Sequence, residues 1–298
     1  MSEINMPQLA QIYGLSCIEN QVLKIMDNEK IDISPIYANS GIPLKTLCKY
    51  FIENKKSYEN FEEIPRIQDT LKKMGLISLK LMQSDSNKLK SIITNTGNKE
   101  YVFAKIAPEY VKNNLFARGW RNDHFVLILK KDDGYKLIND IPAITKNISN
   151  DELLKIYAGE YFELKINRDI SDSEKQYLWN NRLFKPEEEN EYHFVINYHG
   201  NIPGLAEKIR DMAVVYKISR QRMKVYYSAY FNTSFMGGYL QAIEKSLAGL
   251  GYMCVRKNFE MKKVFGILND LCDVHNDSIK QIKKLISLSP LAGKVYVM

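Results

Sequence analysis

An α+β fold is predicted for this chain: N-terminal helices packed on an antiparallel sheet, followed by a helical C-terminal part. Three observations predict it. Before about residue 75 the apolar residues recur mainly at helical spacing. From about Ser91 to Tyr198 short β-prone runs alternate with clusters of turn residues. From Pro203 onward the helical spacing returns in long stretches.

The first element is a helix beginning at Ser16. Ser16 and Glu19 form a capping-box pattern, and Val22, Leu23, Ile25 and Met26 continue it at roughly helical spacing. Asn28 to Asp32 is a polar connection. Pro43 to Glu53 and Ile64 to Met74 read as short helices, with a loop at Asn39-Ser40-Gly41 before the first. Leu71, Met74, Leu76, Ile77 and Leu79 cluster around Gly75, and Ser84 to Lys90 reads as an exposed polar stretch. Ser91 to Thr94 and Tyr101 to Ile106 read as short strands on either side of the turn-rich Asn95-Thr96-Gly97-Asn98. His124 to Lys131 and Tyr135 to Asp140 are clearer strands flanking the hairpin signal Asp132-Asp133-Gly134. Asp151 to Tyr157 reads as a helix, and Glu160 to Ile166 and Tyr192 to Tyr198 as further strands. Helices are expected over Leu205 to Phe231, Phe235 to Leu250 and Met261 to Leu288, with Gly249 to Gly251 separating the last two. The chain then divides into a first domain, 1–166, and a mainly helical second domain, 167–298, with one strand near 192–198.

A chain of 298 residues, 45% hydrophobic and 26% charged, is long enough to bury a sizeable core. The first residues lack the basic start and apolar run of a signal peptide, and no apolar run is long enough to span a bilayer, so a cytoplasmic protein without membrane partners is expected. Cys17, Cys48, Cys254 and Cys272 form no CxxC pair, and the four histidines lack metal-ligand spacing. Neither disulfides nor a metal are expected. From Pro203 to the end there are 15 Lys and Arg against 7 Asp and Glu, whereas the preceding part is close to neutral. That asymmetry suggests a face for an acidic partner. The aromatic-rich stretch of Tyr226, Tyr227, Tyr230, Phe231, Phe235 and Tyr239 reads as helix-packing core.

The chemistry centres on Gln11 to Asn20. Cys17 falls in the first turn of the predicted helix, where free N–H groups and the positive end of the helix dipole favour a thiolate, the reactive form of the side chain. Gln11, six residues upstream, is a candidate oxyanion donor beside the Cys17 backbone N–H. Taken alone, such a Cys is more often a small buried hydrophobe, so the reading depends on its partners. His124 opens an apolar strand. A three-residue loop at Asp132-Asp133-Gly134 sets Asp140 opposite Val126 and so near His124, where a carboxylate can hold the imidazole tautomer. A two-residue loop shifts the register by one and brings Asn139 there instead, and an Asn can also orient the ring. The three-residue loop is the expectation. Trp120 and Tyr13 are candidate substrate contacts.

Gln11 with Cys17, His124 in Asn-Asp-His-Phe-Val-Leu-Ile-Leu, and Asp140 in Tyr-Lys-Leu-Ile-Asn-Asp-Ile-Pro resemble the papain-like cysteine protease superfamily, in its C39-peptidase-like branch, over roughly residues 6 to 166. The sequence departs from that branch at Ser16 and Ile18, where its peptidases commonly have Asp or Glu and Gly, which argues against leader-peptide cleavage. The whole chain is similar to the butirosin biosynthesis H-type acyltransferases and to the amide-forming cysteine-protease homologue of closthioamide assembly. The resemblance implies a papain-like catalytic domain and a Cys-His-Asp triad of Cys17, His124 and Asp140, with Gln11 at the oxyanion. It also implies transfer of an acyl chain from a carrier-protein thioester to a small amine in antibiotic biosynthesis. No cofactor is needed, since phosphopantetheine arrives on the carrier protein. A carrier protein is typically acidic, and Lys208, Arg210, Lys217 and Arg220, with Arg222 and Lys224, are candidates to dock it. A peptidase or amidase of the same fold, and a non-catalytic protein binding nucleic acid through the basic helices, are the rival expectations.

Overall fold

The computed structural model describes residues 17–32, 34–56, 67–115, 124–140, 143–182, 184–193, 199–229, 231 and 233–288. The chain forms two compact units: Met1–Ile33 with Arg66–Ser171, and Ser34–Pro65 with Asp172–Met298. The sequence alone placed 34–65 in the first domain.

In the first unit, α1 (Cys17–Asn28), α3 (Ile67–Lys73), α4 (Ser86–Thr94), α5 (Pro108–Asn114) and α6 (Asn150–Ile156) surround a mixed-length antiparallel sheet of six strands. The strands are β1 (Ile77–Gln83), β2 (Glu100–Ile106), β3 (Phe125–Lys131), β4 (Gly134–Asn139), β5 (Ile144–Ile148) and β6 (Tyr157–Ile166), in the spatial order β1-β6-β2-β3-β4-β5. Alternation splits their side chains. Val102, Ala104, Val126, Ile128, Tyr135 and Leu137 point one way and pack with Leu89 and Ile93 of α4, Val111 of α5 and Leu153 of α6. Phe103, Phe125, Leu127, Ile138 and Leu164 point the other way and are buried on the side of α1, whose Glu29 end receives the Tyr101 hydroxyl. The mixed α/β class with an antiparallel sheet agrees with the expectation.

Two local expectations fail. Ser91 to Thr94 belongs to α4 rather than a strand, because Asp85 caps the helix by accepting from the Lys88 N–H at 2.8 Å and Leu89 and Ile93, four residues apart, are buried together. The hairpin loop has two residues, not three: Lys131 pairs with Gly134 and Leu127 with Ile138. Gly134 has φ +137, and a Cβ there would lie 2.5 Å from the Ile148 carbonyl oxygen on β5. Gly134→Ala is therefore expected to cost about 2–3 kcal/mol through backbone strain and overpacking, read as a lower denaturation midpoint at unchanged m-value.

The second unit contains α2 (Leu44–Cys48), which continues into a wider helical turn at Lys49–Glu53, α7 (Asp172–Asn180), α8 (Ile202–Ser228), α9 (Met236–Arg256) and α10 (Met261–Leu288). The reason that 34–65 joins these helices is apolar. Leu44, Leu47, Phe51 and Ile52 complete one core with Ile209, Met212 and Tyr216 of α8, Ile243 and Leu250 of α9, and Leu268 and Leu271 of α10. Gly249 and Gly251 do not end α9, which runs on to Arg256 and stops where Lys257 adopts φ 52. Gly249 instead lets α10 approach, since a Cβ there would lie 3.3 Å from Ile267 Cδ1. Of the aromatic stretch, Tyr226 and Tyr227 are buried in the core as expected, and with the half-buried Phe231 they surround Trp179 with centroids 5.8, 6.2 and 5.9 Å away. Most of the expected strand over Tyr192 to Tyr198 lies outside the described residues, and the described Tyr192 and His193 are not in a strand.

Candidate active site

Cys17 is the first described residue of α1 and is half-buried. The helix burial runs unbroken from Ile18 to Met26 and takes in four polar side chains: Glu19, Asn20, Gln21 and Lys24. Glu19, read from sequence as half of a capping box, accepts from the Ile67 N–H at 2.8 Å and so ties α1 to the start of α3. Ser16, Gln11, Tyr13 and Trp120 lie outside the described residues.

His124 immediately precedes β3 and extends its pairing, since the Ile106 N–H donates to the His124 carbonyl at 3.0 Å. The ring is buried, and its Nε2 lies 2.5 Å from Asn139 Oδ1 at the end of β4. The two-residue hairpin loop is the cause. The register that pairs Leu127 with Ile138 sets Asn139 opposite Val126, on the face that Val126 shares with His124. Asp140, expected to orient the imidazole, takes the opposite direction, where its Oδ2 accepts from Asn20 Nδ2 at 3.1 Å. His124 Nε2 thus meets Asn139, the residue that a two-residue loop brings there. An amide oxygen only accepts, so Nε2 carries the hydrogen of this bond.

The position of α1 follows from its polar side chains. Gln21 Nε2 donates to the Phe125 carbonyl at 2.6 Å, and Lys24 Nζ to the Asp140 carbonyl at 3.4 Å. Asn20 and Gln21 thus sit over the last residues of the β3–β4 ladder. Cys17, three and four residues earlier, lies on the same stripe one turn further on, roughly 5 Å along the axis. α1 is thus held at the ends of β3 and β4, through Phe125 and Asp140, the sequence neighbours of His124 and Asn139. Burial pushes the Lys24 ammonium below its ordinary range, and the Asp140 charge opposes that shift.

Sequence reasoning passed over Asn20, Gln21 and Lys24. The signal was available: with Cys17 they fall at positions i, i+3, i+4 and i+7, a polar stripe inside an otherwise apolar helix.

The basic candidates of the second unit are less available than their sequence positions suggested. Arg220 is buried and cannot belong to a docking face. Its guanidinium lies 4.4 Å from the centroid of Tyr216 and 5.2 Å from that of Phe184, and it reaches His275 Nδ1 at 3.1 Å and the Ile42 carbonyl at 3.3 Å. Arg222 is buried too. Lys217 pairs with Glu244 at 2.6 Å. Lys208 reaches the Lys56 carbonyl at 2.8 Å, and Arg210 lies 3.8 Å from Asp211. Among the described residues no group of three or more His, Cys, Asp or Glu could hold a metal ion, and no helix is long and apolar enough to cross a membrane.

The chain matches no family model. A search of curated proteins also finds no match.

Proposed function

We propose that this chain is a cysteine-dependent acyltransferase, with Cys17 as nucleophile, His124 as base and Asn139 as the group that orients the base. The observation that supports it best is the buried His124–Asn139 pair, whose sequence neighbours Phe125 and Asp140 are hydrogen-bonded by the helix that carries Cys17. A buried imidazole oriented by an amide is one half of the constellation that nucleophilic catalysis by a thiol needs.

The steps use only these groups. His124 Nδ1 takes the Cys17 proton, and the thiolate attacks the carbonyl of a carrier-protein thioester. The Cys17 backbone N–H stabilises the oxyanion, with Gln11 as its second donor. The tetrahedral intermediate collapses, and the phosphopantetheine sulfur leaves with the proton from His124. An amine then attacks the acyl-enzyme, gives its proton to Nδ1 and displaces the Cys17 thiolate, so an amide forms. The thioester is already activated, so no nucleotide is consumed. The natural-product context, a small amine acceptor and the acidic carrier protein follow from the resemblance of the sequence, and of the docking candidates Lys208 and Arg210 fit an exposed role better than Arg220.

Intact mass spectrometry after incubation with acyl-loaded carrier proteins tests this. The expected result is an acyl adduct on Cys17 that an added amine resolves to an amide. An adduct released only to water would make the protein a hydrolase of the same fold, and absence of any adduct together with salt-dependent binding of DNA or RNA would favour a non-catalytic nucleic-acid binder.

A further inference from the structure

We infer that Asn20, Gln21 and Lys24 are positioning residues of the reaction: they clamp the helix that carries Cys17 to the backbone next to His124 and Asn139, and so set the distance between sulfur and imidazole. This rests on the proposed roles of Cys17 and His124. Gln21 Nε2 holds the carbonyl of Phe125, the neighbour of His124 in sequence. Asn20 Nδ2 holds the Asp140 carboxylate and Lys24 Nζ the Asp140 carbonyl, and Asp140 is the neighbour of Asn139. One helix stripe thus grips both strands within one residue of the two members of the pair.

The burial of these groups makes the clamp specific. Asn20, Gln21, Lys24 and Asp140 are all 1% exposed or less. Water cannot replace a lost partner at such sites, so the Asn20, Gln21 and Lys24 donors are held to the geometry that satisfies them. A helix held to the sheet by apolar contacts alone can slide by a fraction of a turn at little cost. Hydrogen bonds to one backbone carbonyl on β3 and to one residue after β4 forbid that sliding. Reaction rates are sensitive to such shifts, since a displacement of 1 Å can cost about a hundredfold. The clamp also accounts for Asp140: its carboxylate serves the helix, while Asn139 serves the imidazole.

The test is the pH profile of alkylation of Cys17 by iodoacetamide in the full chain, followed by peptide mass spectrometry, with the half-buried Cys254 of the other unit as an internal reference. In the wild-type protein a thiolate paired with the imidazole keeps Cys17 reactive at about pH 5 to 6, where an ordinary thiol is not. Gln21→Leu, which keeps the volume and loses the donor, is expected to lower the Cys17 rate at that pH by about tenfold or more and leave Cys254 unchanged. Asn20→Leu is expected to do the same, and Gln21→Leu carries the test if that variant fails to fold. Ile77→Ala, which opens a cavity on the edge strand β1, three strands away from β3, supplies a loss of melting temperature without a change in the Cys17 profile. The clamp is overturned if Gln21→Leu keeps the wild-type profile, or if Ile77→Ala loses it equally. A wild-type Cys17 with the profile of an ordinary thiol would instead remove the Cys17–His124 pairing, and the clamp with it.

Discussion

Replacement of Cys17 by Ala is expected to abolish the acyl-enzyme and to lower turnover by on the order of a millionfold, the scale seen when a covalent nucleophile is deleted from a working triad. His124→Ala is expected to fall close behind, because sulfur and imidazole act as a unit and their losses do not add. The discriminating pair is at the end of β4. Asn139→Ala removes the oxygen 2.5 Å from His124 Nε2 and frees the ring to turn, so kcat should drop by about 10²–10⁴ while KM holds. Asp140→Asn keeps an oxygen for Asn20 and should change kcat by less than about tenfold. A carboxylate that oriented the imidazole directly would behave otherwise: its conversion to an amide reverses the tautomer and costs about 10⁴ in kcat. Steady-state kinetics on the two variants therefore decides which residue completes the site, and a large loss in Asp140→Asn with little in Asn139→Ala would return the role to Asp140.

The second unit is expected to lose stability steeply in mild acid. His275 is buried on α10, and burial first, then the neighbouring Arg220 guanidinium, push it from 6.5 down to about 3. The native imidazole is therefore neutral and accepts from Arg220, while the unfolded one is an ordinary histidine. Between pH 6.5 and pH 3 the unfolded state binds a proton that the native state refuses, so stability falls as the pH falls through that window and is constant above it. The loss is about 2 kcal/mol at pH 5 and approaches about 5 kcal/mol near pH 3, where carboxylate titration joins it. Denaturation midpoints followed by the fluorescence of Trp179, which lies in this unit, should decline from pH 7 to pH 5. In His275→Leu that decline should flatten whatever the variant costs at neutral pH, and an equal slope in both proteins would show that another group carries the acid sensitivity.

The alternating runs of β2, β3, β4 and β6 and the long amphipathic spacing of α8 and α10 were legible because each is a local period, fixed by which side of one element meets the core. Cys17 within a helix and His124 beside a strand start were legible for the same reason. The choice between Asn139 and Asp140 was not, since it turns on one residue of hairpin register, and that is set by Gly134 packing under the Ile148 carbonyl of a strand that the sequence reading did not find. Arg220 looked like surface charge because a cation in a helix is usually solvated. Only the rings of Tyr216 and Phe184 and the neutral His275, brought together from distant segments, make its burial tolerable.

By itself, then, the sequence determined the α+β class, the helical end with its excess of positive charge, and the helix and strand to which Cys17 and His124 belong. Tertiary structure alone decided that 34–65 completes the helical core, that Asn139 meets His124, and that Asn20, Gln21 and Lys24 hold α1 to the strand ends. The physical reason is range: periodicity and capping are written within a few residues, whereas register, shared cores and buried polar partners exist only once separate segments exclude water from one another.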